Sequence, residues 1–406
     1  NAVVQGTLLA LQYMGKDKGG KGGVIVNMAS SAGLEPSSCS PIYAGTKHFV
    51  VGFSRSLGTP YYYDRSGVKI LTMCPALTCT PLVTEADKHA LTSLSSDLRQ
   101  YMIQELAKNP AQSVQSVARG MIVLITKGDN GSVWVCEGDE PIYEVNIPGR
   151  LRYQSLAPFT FKPADDTKLF QDIYSQTASD SVSGRFRQVF KRKIALVTGG
   201  IGLSSVKELL RHGVQFDYIA DIDEPRGEEI LKEIIKEFGT NRAIFIKTDV
   251  TQVNQLEGKV KCPNAVVQGT LLALQYMGKD KGGKGGVIVN MGSTADLEPA
   301  SYSPIYVSTK HFVLGFSRSL GTPYYYDRTV FKILTMCPGP TYTPLITEAY
   351  KHTLTTMSLD LRQNMKEEVE KRPGQSVENV VRGIIVLITK GDNGSVWVCE
   401  DEPIYE

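Results

Sequence analysis

The chain has 406 residues, 44 of them Lys or Arg and 42 Asp or Glu, for a formal net charge of +2. That length accommodates two to three domains of roughly 100–200 residues each, and a composition that is 42% hydrophobic and 21% charged belongs to a folded chain, not a disordered one. The near-neutral balance argues against nucleic acid or an anionic membrane as partner, no apolar run approaches the roughly 20 residues of a membrane span, and seven scattered cysteines without metal-site spacing fit a reducing, cytoplasmic setting.

An internal repeat organises the chain. Residues 1–28, NAVVQGTLLALQYMGKDKGGKGGVIVNM, recur unchanged at 264–291, and similarity continues with scattered substitutions to Glu144 and Glu406. An offset of about 263 residues is the size of a whole domain, far beyond a solenoid repeat. Identity this close implies a recent duplication or the joining of two neighbouring genes. The copies are unequal, because residues 193–260 precede the second and have no counterpart before the first. The expected organisation is a C-terminal half-domain over 1–145, a tail and linker rich in Pro, Ser and Asp over 146–192, and a shortened domain over 193–406.

In chain order, the first copy predicts a helix at 3–14, a strand at 23–27, a long helix at 42–63, and strands at 68–73 and 132–136. After the linker, 193–198 (KIALVT) is a short buried strand ending in glycines, 203–211 has helical spacing, and 216–221 (FDYIAD) is a second strand. A charged amphipathic helix over 224–238 and a third strand at 243–247 (AIFIK) follow. The repeated part then predicts helices at 266–277, 305–326, 359–371 and 377–389, with strands at 286–290, 331–336 and 395–399. Strand alternating with helix argues an α/β architecture, a doubly wound parallel sheet covered on both faces.

The chemistry-bearing constellation is Ser293, Tyr306 and Lys310. Ser293 follows the strand GVIVN, thirteen residues before Tyr306, and Tyr306 and Lys310 share one helix face four residues apart. A lone YxxxK occurs often by chance; the spaced serine after a buried strand is more specific. The next strand ends in Pro338-Gly339, with Thr343 shortly after. These features, with QGTLLALQYM, GGKGGVIVNM and PIYxxTKHFVxGFSRSLG, resemble the short-chain dehydrogenase/reductase family. The likeness is greatest to its 15-hydroxyprostaglandin dehydrogenase-like and insect alcohol dehydrogenase-like members and covers both copies.

The resemblance implies an NAD(P)-dependent oxidoreductase that interconverts a small secondary alcohol and its ketone. Tyr306 would be the acid/base, Lys310 its electrostatic partner and ribose contact, and Ser293 a hydrogen-bond donor to the substrate oxygen. Free tyrosine titrates near pH ~10, and an ammonium one helical turn away favours the phenolate, which is what a base at neutral pH requires. Thr343 matches the family threonine at the nicotinamide amide. The first copy repeats the trio as Ser30, Tyr43 and Lys47, with Ala76 in place of the glycine after the proline.

Thr198, Gly199, Gly200, Ile201 and Gly202 follow a strand and open a helix, where a dinucleotide pyrophosphate would lie on the helix N-terminus. Asp221 ends the second strand, about twenty residues on, where a carboxylate holds ribose hydroxyls and repels a 2′-phosphate; NAD is therefore expected over NADP, with Arg226 keeping NADP open. Asp249 matches the family's acidic residue near adenine, or caps a strand end.

Departures from the family pattern are plain. TGGIG is about three residues shorter than the family's TGxxxGxG. After Gly258-Lys259-Val260 the chain passes through Lys261-Cys262-Pro263 to Asn264 with nothing like the family's fourth strand, a shortfall of roughly forty to fifty residues. Cys262 stands where the family has its catalytic asparagine. The alternative is therefore an inactive family relic or scaffold that acts only through dimer-type interactions. The family dimerises through its two long central helices, so a homodimer or an intrachain pseudo-dimer is expected, with 3–14 and 42–63 against 266–277 and 305–326.

Overall fold

The computed structural model describes residues 2–84, 96–108, 111–138, 140–147, 194–198, 200–221, 223–247, 261–343, 346, 358–372 and 374–400. Most of the predicted linker, Gly199 and Asp249 lie outside the described residues. The chain divides into two compact units, Asn1–Phe159 with Ala295–Arg328, and Thr160–Thr294 with Thr329–Glu406. No helix among the described residues is long and apolar enough to cross a membrane.

In the first unit, α1 (Ala2–Met14) leads to β1 (Gly23–Met28), α2 (Pro41–Leu57), α3 (Pro60–Ser66) and β2 (Val68–Pro75). Then come α4 (Pro81–Thr84), α5 (Ser96–Lys108), α6 (Val114–Lys127), β3 (Val133–Cys136) and the two-residue β4 (Tyr143–Glu144). The sheet order is β1-β2-β3-β4, parallel except for the β3–β4 pair. The strands of β2 are buried almost throughout, as the continuous apolar run of a sheet covered on both faces requires. One face packs Phe53, Leu57, Val68 and Ile70 beneath α2, and the other packs Leu71, Met73, Leu124 and Cys136 beneath α6.

The second unit starts with β5 (Ile194–Thr198), α7 (Gly200–Arg211), β6 (Phe216–Asp221), α8 (Glu224–Phe238) and β7 (Ala243–Lys247). These strands form a parallel sheet, β5-β6-β7. After α9 (Lys261–Met277) and β8 (Gly286–Met291), the helices α10 (Pro304–Leu320) and α11 (Pro323–Thr329) belong to the first unit, apart from the last residue of α11. The chain returns to the second unit with β9 (Phe331–Pro338), α12 (Leu359–Glu370), α13 (Val377–Lys390) and β10 (Val396–Cys399). A second parallel sheet runs β10-β9-β8. Among the described residues β5 pairs only with β6 and β8 only with β9, so no strand bridges the two sheets. They are joined instead through helices: Leu209 and Val214, at and after α7, pack on Ile385 of α13. Helices α7 and α8 cover one face of β5-β6-β7 through Val206, Leu210, Ile219 and Ile234, while Ile194, Leu196, Tyr218, Ile244 and Ile246 are exposed.

The architecture is the expected α/β arrangement of parallel strands and covering helices. The long helices predicted at 42–63 and 305–326 are each two helices. Gly58 ends α2 with its N–H on the Ser54 carbonyl, and Pro60 opens α3; Gly321 and Pro323 repeat this in the second copy. Proline has no N–H to continue the helical ladder and disfavours helical backbone at the residue before it, so the apolar periodicity runs on while the helix does not.

Within the first unit α2 packs along α10. His48 and His311 are buried, each bonding the carbonyl four residues earlier (Ala44, 2.9 Å; Val307, 3.0 Å). Each imidazole lies over a glycine of the other helix: a Cβ on Gly315 would fall 2.4 Å from the His48 ring, and one on Gly52 would fall 2.5 Å from that of His311. Phe53 and Phe316, both fully buried, stack on Phe49 and Phe312 at 6.3 and 6.0 Å. Burial of an aromatic of this size contributes on the order of 2–3 kcal/mol.

Candidate active site

In the first copy the predicted trio gathers at the C-terminal ends of β1 and β2, the end of a parallel sheet where open α/β folds carry their sites. Ser30 lies two residues past the end of β1. Its hydroxyl caps a single 3-10 turn, accepting the Ala32 N–H at 3.3 Å, and donates to the Pro75 carbonyl at the end of β2 at 3.4 Å. Tyr43 lies in the first turn of α2 and is 38% exposed, open to a substrate. One turn on, the Lys47 ammonium is 5.4 Å from the centre of the Tyr43 ring and donates to the Met28 carbonyl at 3.3 Å. Burial pulls the Lys47 pKa down, with the neighbouring Cys74 thiol opposing. The lysine thus joins the tyrosine helix to the strand end.

Sequence reasoning missed a buried polar chain that holds this strand end. The Thr7 hydroxyl donates to Asn27 Oδ1 (3.0 Å), Asn27 Nδ2 donates to the Ser54 hydroxyl (2.9 Å), and Ser54 donates to the Val50 carbonyl (2.8 Å). It ties α1 and α2 to the end of β1, at a residue three before Ser30. Its only signal in the sequence is an asparagine where the strand pattern calls for an apolar residue. The Thr270–Asn290 bond, 3.3 Å, repeats its first link in the second unit.

In the second copy Tyr306 and Lys310 occupy the same places on α10, with the ammonium 5.8 Å from the ring centre and Tyr306 39% exposed. Ser293 follows β8 and belongs to the second unit, whereas the Tyr306–Lys310 pair belongs to the first. Pro338 is the last residue of β9, and the Gly339 N–H bonds the Cys399 carbonyl at 2.8 Å. A Cβ there would meet the Glu400 side chain at 2.8 Å, and the Ala76 of the first copy donates the corresponding bond to Cys136. Thr343 closes a tight turn, its N–H on the Thr341 carbonyl at 2.7 Å.

The nucleotide-binding candidates lie on β5, α7 and β6. Thr198 is the last residue of β5; Gly200 and Ile201 open α7, and Gly202 follows in its first turn. A Cβ on Gly202 would come within 2.6 Å of Val197, so the glycine lets the helix start close against the strand. The α7 N-terminus therefore presents backbone N–H groups beside the end of β5, which suits a pyrophosphate. Asp221 ends β6, and its Oδ1 accepts the Asp223 N–H at 3.0 Å, leaving Oδ2 for a ribose hydroxyl. These residues fit the pyrophosphate and adenosine side of a dinucleotide. Cys262 lies in the first turn of α9.

Comparison with known proteins places these residues in context. Residues 1–91 and 263–354 each match the family described as short chain dehydrogenase. Alcohol dehydrogenase 1 of Ceratitis cosyra is 38% identical over 133 residues, 33% of this chain and 50% of that protein. The NAD(+)-dependent 15-hydroxyprostaglandin dehydrogenase of Mus musculus is 27% identical over 229 residues, 48% of this chain and 85% of that protein. The chain thus spans about half the length of the insect relatives it matches. Among solved structures, L-sorbose reductase from Gluconobacter frateurii, complexed with NADPH and L-sorbose, aligns with 53% of this chain and 97% of its own at 19% identity, with a TM-score of 0.42.

Proposed function

We propose that this chain, which matches the short chain dehydrogenase family at residues 1–91 and 263–354, is a nicotinamide-dependent oxidoreductase of that family that interconverts a secondary alcohol and its ketone at Ser293, Tyr306 and Lys310. The observation that carries this reading is the tyrosine–lysine pair, present in both copies with the ammonium one helical turn from the ring, at 5.4 and 5.8 Å. The second copy is the working one in this reading, because residues 193–260 before it carry the nucleotide-binding candidates. The organisation follows: a half-domain over 1–145, a tail and linker over 146–192, and a shortened domain over 193–406, with the two copies forming an intrachain pseudo-dimer through their central helices.

The residues divide the chemistry between them. The α7 N-terminus with Gly199, Gly200, Ile201 and Gly202 receives the pyrophosphate, and Asp221 holds the ribose hydroxyls, favouring NAD over NADP. Thr198 belongs with that glycine loop, Asp249 would lie near the adenine, and Pro338, Gly339 and Thr343 would complete the cofactor site, with Thr343 at the nicotinamide amide. The bound nicotinamide supplies the hydride acceptor. Tyr306, as phenolate, takes the hydroxyl proton of the alcohol while Lys310 stabilises the phenolate charge, and Ser293 donates a hydrogen bond to the substrate oxygen.

The unbridged sheets β5-β6-β7 and β10-β9-β8 favour a second reading, a scaffold that has lost its cofactor wall. Fluorescence titration with NADH and NADPH separates the two. Saturable micromolar binding that prefers NADH, followed by alcohol oxidation that Tyr306→Phe lowers by about 10²–10⁴-fold without changing nucleotide affinity, is the expected result. No binding up to millimolar nucleotide by a folded chain leaves only the scaffold.

A further inference from the structure

Each copy carries a loop between its serine and its tyrosine, residues 34–40 in the first and 297–303 in the second, that feeds the tyrosine helix. The helices enter without help from their own caps: neither Ser40 nor Ser303 makes a side-chain cap bond, and each helix opens with proline. The first-turn N–H groups of a helix have no intrahelical partners, so the entry geometry must be set from elsewhere.

Two side chains of the other copy reach each loop. Tyr62 of α3 donates to the Ser301 carbonyl at 2.8 Å, and Ser56 of α2 accepts the Ala300 N–H at 3.3 Å. The same pair appears with the copies exchanged: Tyr325 of α11 donates to the Ser38 carbonyl at 2.9 Å, and Ser319 of α10 accepts the Ser37 N–H at 2.9 Å. All eight residues lie in the first unit. Ser301 is three residues before Pro304 and five before Tyr306, so the clasp grips the backbone at the point from which the catalytic tyrosine's helix starts. Burial raises the pKa of both tyrosines, so both hydroxyls stay protonated donors throughout the physiological range. The first copy has a further tie: Tyr101 of α5 stacks on Tyr324 at 4.1 Å and bonds the Ser38 hydroxyl at 3.0 Å. The position matching Tyr101 in the second copy is Asn364, which has no ring to stack.

We infer that Tyr62, with Ser56, is a positioning residue for Tyr306, and that the first copy serves the reaction by holding the tyrosine loop of the second. This rests on the function proposed above for the second copy. The first copy thereby has a task that only a chain containing both copies performs.

Hydrogen exchange on the full chain tests the clasp without reference to activity. Tyr62→Phe, which removes one hydroxyl, is expected to speed amide exchange about fivefold in peptides covering 297–305 while leaving 34–42 unchanged; Tyr325→Phe is expected to do the reverse. Turnover adds the second readout: Tyr62→Phe lowers kcat several-fold and leaves the NADH dissociation constant unchanged. Ser56→Ala, which removes the acceptor of the Ala300 N–H, reproduces the effect if the Tyr62 variant folds poorly. Unchanged exchange at 297–305 in both variants overturns the inference, as does a fall in nucleotide affinity equal to the fall in kcat. A wild-type chain that oxidises no alcohol but shows the reciprocal exchange pattern overturns the proposed reaction and keeps the clasp.

Discussion

Val330 has φ 55° and stands where the first copy has Gly67, at φ 61°. A β-branched side chain in the left-handed region crowds its own backbone, at about 1–2 kcal/mol. The Val330 carbonyl still accepts the Gly286 N–H, so the turn is kept in spite of the strain. Val330→Gly is expected to raise the urea midpoint of the second unit by the equivalent of about 1 kcal/mol, the relief of strain exceeding the added freedom of glycine in the unfolded chain. A lower midpoint in the variant means the Val330 side chain contributes more by packing than its backbone loses. Nothing in the local sequence, TVFK against SGVK, marks the position as strained; the comparison between copies does.

At the scale of elements, α6 and α13 have nearly the same sequence and opposite surroundings. Ile385 of α13 is 1% exposed beneath Leu209 and Val214, whereas its counterpart Ile122 on α6 is 66% exposed. Amphipathic spacing assigns both helices one buried face against their own strands, and both obey it, through Leu124 and Leu387. On α13 the second face is covered by Leu209 and Val214; among the described residues nothing covers Ile122 in the same way. Ile385→Ala is expected to cost about 2–4 kcal/mol and Ile122→Ala less than about 0.5, measured by denaturant unfolding. Similar losses at both positions require that α6 be covered in solution. The split of the long central helices at Pro60 and Pro323 was legible in the residues themselves; the apolar rhythm running across the break concealed it.

At the scale of the whole molecule, the two units carry buried titratable groups of opposite sign. In the first unit burial pushes His48 down to about 4 and His311 to about 3, each also repelled by an arginine, Arg318 for His48 and Arg55 for His311. A histidine depressed in the folded state is fully stabilising above its unfolded value of about 6.5 and loses that contribution as pH falls toward its folded value. In the second unit Asp217 is fully buried with no hydrogen-bond partner for either carboxylate oxygen, and burial raises it to about 7 while Arg242 opposes. Its stabilising contribution is greatest near pH 4 and is lost as pH rises toward 7. Moving from pH 7 to pH 5 should therefore weaken the first unit and strengthen the second, each by on the order of 2 kcal/mol or more. The chain has two tryptophans, Trp134 in the first unit and Trp397 in the second, so Trp397→Phe and Trp134→Phe leave one reporter per unit. Fluorescence-monitored urea midpoints are expected to shift in opposite directions between the two pH values, and Asp217→Asn to remove the shift in the second unit. Midpoints that move together count against the two units titrating separately.

The sequence alone determined the duplication, the order of strands and helices, and the serine–tyrosine–lysine spacing that points to dehydrogenase chemistry. All of these are local or periodic, so they survive in a one-dimensional string. The tertiary structure decided which copy each helix serves: α10 carries the tyrosine of the second copy yet packs on α2 of the first, and Tyr62 grips a carbonyl 239 residues away. The Asn27 chain and the histidines lying over glycines are likewise contacts between segments distant in sequence, and the burial of Asp217 is set by such packing. Side-chain type and spacing specify which face of an element is apolar; which partner covers that face, and which polar atoms are left to find each other, follows only once the chain has closed on itself.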